Sequence, residues 1–257
     1  MARHDRWRDV AEGAVGVAVM TAALLTPFSR GRRARWGAGG QAAAHRYPGD
    51  ELVRRPRWGW THGIQIEAPA ADVWPWVAQI GADRGGFYSY QWLENIIGCQ
   101  VRNAAEIHPE WAAREGGELR LHPKAPPLRI VSVQPGHALV AHMAPVPALS
   151  GTRQPEAPPS GGPTRARDRW MTASWLFLVE PAGPARCRVI SRYRCDTSGD
   201  LSSRLQFGPA IVEPVSFAMD RRMLIGIKQR AERAQQEPHP SARRAAQRPA
   251  QGLAGQS

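Results

Sequence analysis

The densest set of side chains able to hold or move a proton in this sequence is the run Tyr88-Ser89-Tyr90-Gln91-Trp92-Leu93-Glu94-Asn95. Read as a helix over 88–97 that closes at Gly98, it puts Tyr88, Trp92 and Asn95 on one face and Tyr90, Glu94 and Ile97 on another. A carboxylate held against phenol and indole rings loses its water shell, which raises its pKa and fits it for general acid or base work. Glu94 and Tyr90 are therefore the candidate proton carriers. The same residue types also make an ordinary core, in which the rings close an interior and the glutamate caps a loop or pairs with an arginine. Arg120, Arg192 and Arg222 are candidate forks for a ligand carboxylate, weighed against the usual surface placement of arginine.

Other chemistries lack their signatures. His108-Pro109-Glu110-Trp111 is a structured turn and not the His-Glu-x-x-His of a zinc protease. His62, His122, His137 and His142 fall on predicted strands without a metal-ligand spacing, so no metal is expected. Gly-x-Ser-x-Gly, Walker and dinucleotide-binding glycine patterns are absent, and no cofactor is expected. Three cysteines offer no even framework. Cys187 and Cys195 on one strand would stand about 26 Å apart at ~3.3 Å per residue, beyond disulfide reach. A reducing compartment follows.

The elements that must position these residues occupy the middle of the chain. Net charge is +12, yet residues 60–150 carry six basic against eight acidic side chains and residues 170–230 nine against five. The excess sits in tails and loops, which argues against a specific nucleic-acid face. Only Lys124 and Lys228 among the 34 basic residues are lysine, a compositional bias without functional weight.

Residues 14–28 are free of charge and flanked by Arg3, Arg6 and Arg8 before and Arg30, Arg32, Arg33 and Arg35 after. A spanning helix needs about 20 apolar residues, and Glu12, Gly13 and Gly16 weaken the run. Two readings stay open: membrane association through residues 10–28 as an anchor, with the domain on the cytoplasmic face, or a short helix packed on a cytoplasmic protein. Residues 31–59 read as a tether, making 1–59 an N-terminal extension.

Strand alternation over 60–67 is followed by a helical spacing of Val73, Trp76, Val77 and Ile80, with Pro75 inside it. Period two returns over 118–122, 128–134, 138–143, 170–179 and 186–193, giving about six antiparallel strands. The six prolines of residues 145–169 mark a mobile insert. A long helix begins near Glu213-Pro214, with Val215, Met219, Met223 and Ile227 as its apolar stripe and Arg221, Lys228 and Arg230 facing away. Residues 60–232 thus form the domain, and 233–257 read as a disordered tail. The fold class is α+β, a curved sheet wrapped around a C-terminal helix with an internal cavity between them.

This order resembles the START-like superfamily called SRPBCC, the helix-grip group of polyketide cyclases and lipid-transfer domains. The resemblance rests on Ile64-Gln65-Ile66-Glu67-Ala68-Pro69, Val73-Trp74-Pro75-Trp76, Gln79-Ile80-Gly81, and the run from Gly85-Gly86-Phe87 through Asn95. It continues in Asn103-Ala104, Ile107-His108-Pro109-Glu110-Trp111, Glu213-Pro214 and Met219-Asp220-Arg221-Arg222-Met223-Leu224. Similar proteins usually carry Asp where this chain has Gln91, so a charge-dependent role there would be missing. The resemblance implies a pocket and not a particular reaction. Its expected lining is Tyr88, Tyr90, Trp92, Glu94 and Asn95 from the central block, with Trp111 of the following turn and Arg120 and Trp175 of the strands. Met219, Arg222 and Met223 would complete it from the last helix. The expected role is binding of a small hydrophobic or amphipathic ligand, lipid or polyketide-like. A cyclase or dehydratase in the same pocket is the alternative, and a chaperone-ATPase-regulating partner module the third reading.

Overall fold

A computed structural model describes residues 2–96, 98–147, 170–200, 208–210 and 212–236. Three helices come first: α1 (Ala2–Leu25), α2 (Arg30–Arg33) and α3 (Gly39–Ala44). Strand β1 (Trp58–Ile66) leads into α4 (Ala70–Ala78) and α5 (Gln91–Ile96). Strands β2 (Glu118–Leu119), β3 (Leu128–Gln134), β4 (Ala138–Pro147), β5 (Trp170–Pro181) and β6 (Cys187–Thr197) follow, and α6 (Val212–Gln236) ends the described chain. The six strands form one antiparallel sheet in the order β1-β6-β5-β4-β3-β2. After β1 the chain crosses to the far edge through α4 and α5 and meanders back, and α6 lies on the inner face. This is the α+β helix-grip architecture. Most of the expected insert at 145–169, and the expected tail beyond 236, lie outside the described residues.

Alternation decides what each face carries. Trp58, Trp60, His62 and Ile66 point inward from β1, beside Val189, Ser191, Tyr193 and Cys195 of β6 and Trp175 and Phe177 of β5. Where the sequence predicts a cavity, these rings fill much of the space: Trp60 stacks on Tyr193 at 4.5 Å, and Trp175 lies 4.7 Å from Phe177. The three cysteines are free and buried.

An antiparallel sheet commonly leaves one face in water. Here β5 is buried on both faces, because Tyr47 and Leu52 pack over Val140, Leu176, Leu178 and Ile190 on the outer side. The segment expected to be a tether is thus bonded to the sheet. Ala34 O and Trp36 O accept from Thr61 N and Gly63 N at 2.8 and 2.9 Å, covering the free edge of β1. Gly37 sits at φ +67 so close to the Gly63 carbonyl that a side chain there would overlap it.

No helix among the described residues is long and apolar enough to cross a membrane. The alternative of a packed helix describes α1: Gly13 and Gly16 lie against Trp92 and Tyr90, where an added Cβ would come within 3.0 and 2.9 Å of the rings. The two glycines that interrupt the apolar run are where α1 meets the rings of Tyr90 and Trp92, and its larger contact is with α6.

The apolar stripe of α6 also differs from expectation. Met223, Leu224, Ile227 and Ala231 are buried, whereas Val215 is exposed and Met219 half-buried. A stripe taken every four residues drifts around a helix of 3.6 residues per turn, so one contact face cannot hold all of it. Arg230 does not face away; its guanidinium lies 4.6 Å from the Tyr88 ring. Lys228 reaches back to Gln65 O at 2.8 Å. At the centre of the helix Gly226 presses on Tyr88: an added Cβ would overlap the Tyr88 carbonyl and stand 2.7 Å from its Cβ. Gly226→Ala is expected to destabilise by about 3 kcal/mol, since backbone must move. Gly40→Ala, with open space around it in α3, is expected to stabilise by about 0.5–1 kcal/mol. Urea unfolding of the two variants checks both signs.

Candidate functional site

Between β1, β6 and α6 a polar network crosses the apolar interior. His62 Nδ1 lies 2.5 Å from Asp220 Oδ2, and both side chains are almost fully buried. Ser191 Oγ donates to Asp220 Oδ1 at 2.7 Å. The indoles of Trp175 and Trp60 donate to the same serine oxygen at 2.9 and 3.4 Å. The residue types match a nucleophilic triad, but the order of connection does not. The carboxylate stands between serine and imidazole, and the imidazole does not contact the hydroxyl, so the serine–histidine pairing of a triad is not formed. The remaining imidazole nitrogen, His62 Nε2, is buried without a hydrogen-bond partner. Trp60 stacks on this ring at 5.4 Å, while the half-buried Phe217 and Trp36 approach it edge-on at 5.6 and 6.2 Å. Trp36 in turn carries the Arg221 guanidinium 5.3 Å from its ring centre.

The second polar site is the one the sequence singles out. Glu94 is 3% exposed, Ser89 Oγ donates to its Oε1, and its Oε2 has no partner. Burial raises its pKa, and the Ser89 hydrogen bond opposes this. No arginine pairs with it among the described ion pairs. The helix begins at Gln91 and not at Tyr88, because Tyr88 sits at φ +55. Asn103 Oδ1 accepts from Phe87 N and Tyr88 N at 3.1 and 2.6 Å and holds that turn. The two predicted helix faces are therefore not formed as drawn. The Tyr88 hydroxyl donates to Trp76 O and accepts from Gln79 Nε2, both at 3.0 Å, and burial pushes its pKa up to about 12. Tyr88 locks the loop to α4.

Other predicted residues scatter. Tyr90 and Trp92 face α1. Asn95 brackets the loop by bonds to Val101 N and O at 2.7 and 3.2 Å. Trp111 stacks on His108 at 4.0 Å, and Arg120 pairs with Glu118 at 2.6 Å. Arg222 bonds Gln229 at 3.2 Å. Trp175 and Met223 do belong to the interior, and Met219 is at its margin. Arg192 points to the outer face and its carboxylate partner is Asp50, at 2.7 and 3.0 Å. Sequence reasoning left out His62, Ser191 and Asp220 as a set. The available signals were His62 in phase with Trp60 on one strand face, and an acidic residue in phase with Met223 and Leu224 on α6. Among the described residues no group of three or more His, Cys, Asp or Glu side chains is placed to hold a metal.

No family model matches the chain, and no curated protein matches it. Solved structures with similar folds include the Zhui aromatase/cyclase from Streptomyces sp. R1128, at 13% identity over 68% of this chain and 94% of that one, with a TM-score of 0.31. Another is a norcoclaurine synthase point mutant from Thalictrum flavum in complex with a transition-state analogue, at 15% identity over 69% and 96%, TM-score 0.34. The di-domain aromatase/cyclase BexL of the BE-7585A biosynthetic pathway shares 15% identity over 70% of this chain and 48% of its own, TM-score 0.34. At these TM-scores the likenesses transfer neither substrates nor residue roles.

The environment of Glu94 has a consequence for stability. A carboxyl whose pKa is raised on folding binds more protons in the native state than in the unfolded one, so stability falls as pH rises from its ordinary value of 4.5 through the raised value. Glu94→Gln is expected to flatten that fall and to leave the protein at least as stable at neutral pH. Thermal midpoints at half-unit steps from pH 4 to 8 for the two proteins check it; parallel curves would show that Glu94 does not titrate differently on folding.

Proposed function

We propose that this chain binds a small amphipathic molecule inside the helix grip. The ligand's apolar body contacts the ring cluster of Trp58, Trp60, Trp175 and Tyr193, and one hydrogen-bonding group of it meets His62 Nε2. The supporting observation is that nitrogen, buried and unpartnered in an otherwise satisfied network. Leaving a buried polar group unmet costs about 1–3 kcal/mol, and a ligand that meets it recovers this on binding. Small-molecule sites commonly combine an apolar lining with a few fixed polar groups. Asp220 sets the imidazole's orientation from Nδ1, and Ser191 with its two indole donors sets Asp220.

The four rings are between 6 and 8% exposed, so ligand entry requires them, or Trp36 and Phe217 over His62, to turn aside. This makes the site a closed grip that opens on the ligand, with affinity reduced by the cost of opening. Planar ring systems, such as the polyketide-like class implied by the resemblance, suit stacking against indole and phenol.

A second reading, a cyclase-like or dehydratase-like enzyme, is favoured by Glu94 alone. Its bare Oε2 and raised pKa suit a proton donor. The two sites are separate in the structure, so one experiment divides them. Native mass spectrometry of the gently purified full chain, followed by tryptophan-fluorescence titration with the extracted molecule, is expected to show a ligand bound by the wild type and by Glu94→Gln. Binding is expected to weaken about tenfold in His62→Gln, the value of one neutral hydrogen bond in a buried site. Retained affinity in a folded His62→Gln would overturn the His62 assignment. Loss in Glu94→Gln with His62→Gln unaffected would move the site to Glu94 and favour the enzyme. A chain that carries no ligand, and whose tryptophan emission does not respond to planar aromatic acids, would turn attention to partner binding.

A further inference from the structure

A cleft of about 540 Å3 opens on the side of the sheet away from α6, and His45, Arg46, Arg54, Arg192 and Arg194 line it together with Asp50 and Glu51. Arg192 and Arg194 alternate with the inward-facing Ser191 and Tyr193, which places their guanidiniums on the outer face. Four arginines against two carboxylates leave the cleft with two positive charges in excess.

The carboxylates are already committed. Asp50 takes Arg192 Nε and Nη2 at 2.7 and 3.0 Å, the Tyr47 amide at 3.2 Å, and Arg194 Nε at 3.5 Å. Glu51 accepts the Gly49 amide at 3.2 and 3.1 Å. Arg192 spends its remaining nitrogen, Nη1, on Thr61 Oγ1 and Ala43 O at 2.6 and 3.2 Å, and Arg194 bonds Val53 O and Arg54 O at 3.0 and 3.3 Å. Those two arginines are a fixed floor. Arg46 and Arg54 are exposed and take no part in the described ion pairs, although they stand on the wall of the same cleft. Burial lowers the pKa of Arg194, Asp50 opposes the shift, and the like charges of Arg192 and Arg46 add to it. Guanidiniums crowded in this way gain most from a further anion, and their forks match the oxygens of a phosphoryl group.

We infer that this outer cleft is a binding site for a phosphoryl-bearing anion, with Arg46 and Arg54 closing on it over the Arg192–Asp50 floor. The site is distinct from the helix grip and independent of its ligand.

Calorimetric titration of the full chain with inorganic pyrophosphate at low ionic strength tests it. Binding is expected for the wild type, with the dissociation constant rising about a hundredfold in Arg46→Gln/Arg54→Gln, near tenfold for each charge-assisted hydrogen bond removed. Arg32→Gln/Arg35→Gln removes the same charge from exposed positions outside the cleft and is expected to change affinity by less than about threefold. A parallel arm uses phosphatidylcholine vesicles containing phosphatidic acid. Capture of vesicles by the wild type and not by Arg46→Gln/Arg54→Gln, with no pyrophosphate heat, would support the site and assign its anion to a lipid headgroup. Equal weakening in both double variants, or no Arg46- and Arg54-dependent binding in either arm, would overturn the proposal.

Discussion

The side chain on which the interior depends is Asp220. A carboxylate about 3% exposed in an apolar layer must find partners or be expelled. Asp220 takes one from each of the two neighbouring strands, His62 of β1 and Ser191 of β6. Those two bonds fix both the rotation of α6 about its axis and its position along the sheet. They also propagate. Because Ser191 gives its proton to Asp220, its oxygen is left to accept, and the indoles of Trp60 and Trp175 must turn their N–H groups toward it. Two of the largest rings in the core are thus oriented by a helix they do not belong to. Removing one member of a buried charged set leaves the other uncompensated, at about 3–5 kcal/mol.

The same device fastens residues 31–59 to the sheet and the last helix. Arg33 and Glu213 meet at 2.8 Å with both side chains buried, joining α2 to the start of α6. Arg192 and Asp50 join β6 to the turn that follows α3. Net stability from such pairs is small, because desolvation offsets most of the attraction, but a misplaced partner is heavily penalised. Directional pairs therefore suit a segment that is poor in large apolar side chains, and they explain how residues rich in Gly, Arg and Pro cover the outer face of a sheet. Tyr47 and Leu52 are the exceptions that supply apolar cover, the Tyr47 ring lying beneath Arg192 at 5.3 Å.

Six strands and the last helix were legible in the sequence, since alternation and helical spacing report burial on one face, and β3 and α6 are each buried mainly on one side. Three features were not. The Tyr88 turn looks helical because its aromatic spacing is; its left-handed backbone is imposed by Asn103 and admitted by Gly226, both remote in sequence. The covering segment looks like a linker because composition reports apolar content and not ion pairing, and its partners Thr61, Arg192 and Arg194 lie on strands that read as complete without it. The polar network was hidden by its own chemistry. Aspartate on a helix and serine on a strand read as solvent-facing, and only the phase of Asp220 with Met223 and Leu224 places it inside.

Two buried carboxyl groups, Asp220 and Glu94, thus divide the roles that one pocket was expected to combine. Asp220 has a partner on each oxygen, which makes it a fixed element that orients others. Glu94 has one oxygen held by Ser89 and one bare, so it keeps an atom on which a proton can change. The rings expected to line a pocket beside Glu94, Tyr90 and Trp92, are instead the surface on which α1 rests through Gly13 and Gly16. The seam made by these glycines brings backbone close to ring at two points, while α1 packs mainly along α6, so the helix resting on these rings is itself held by the helix that Asp220 pins.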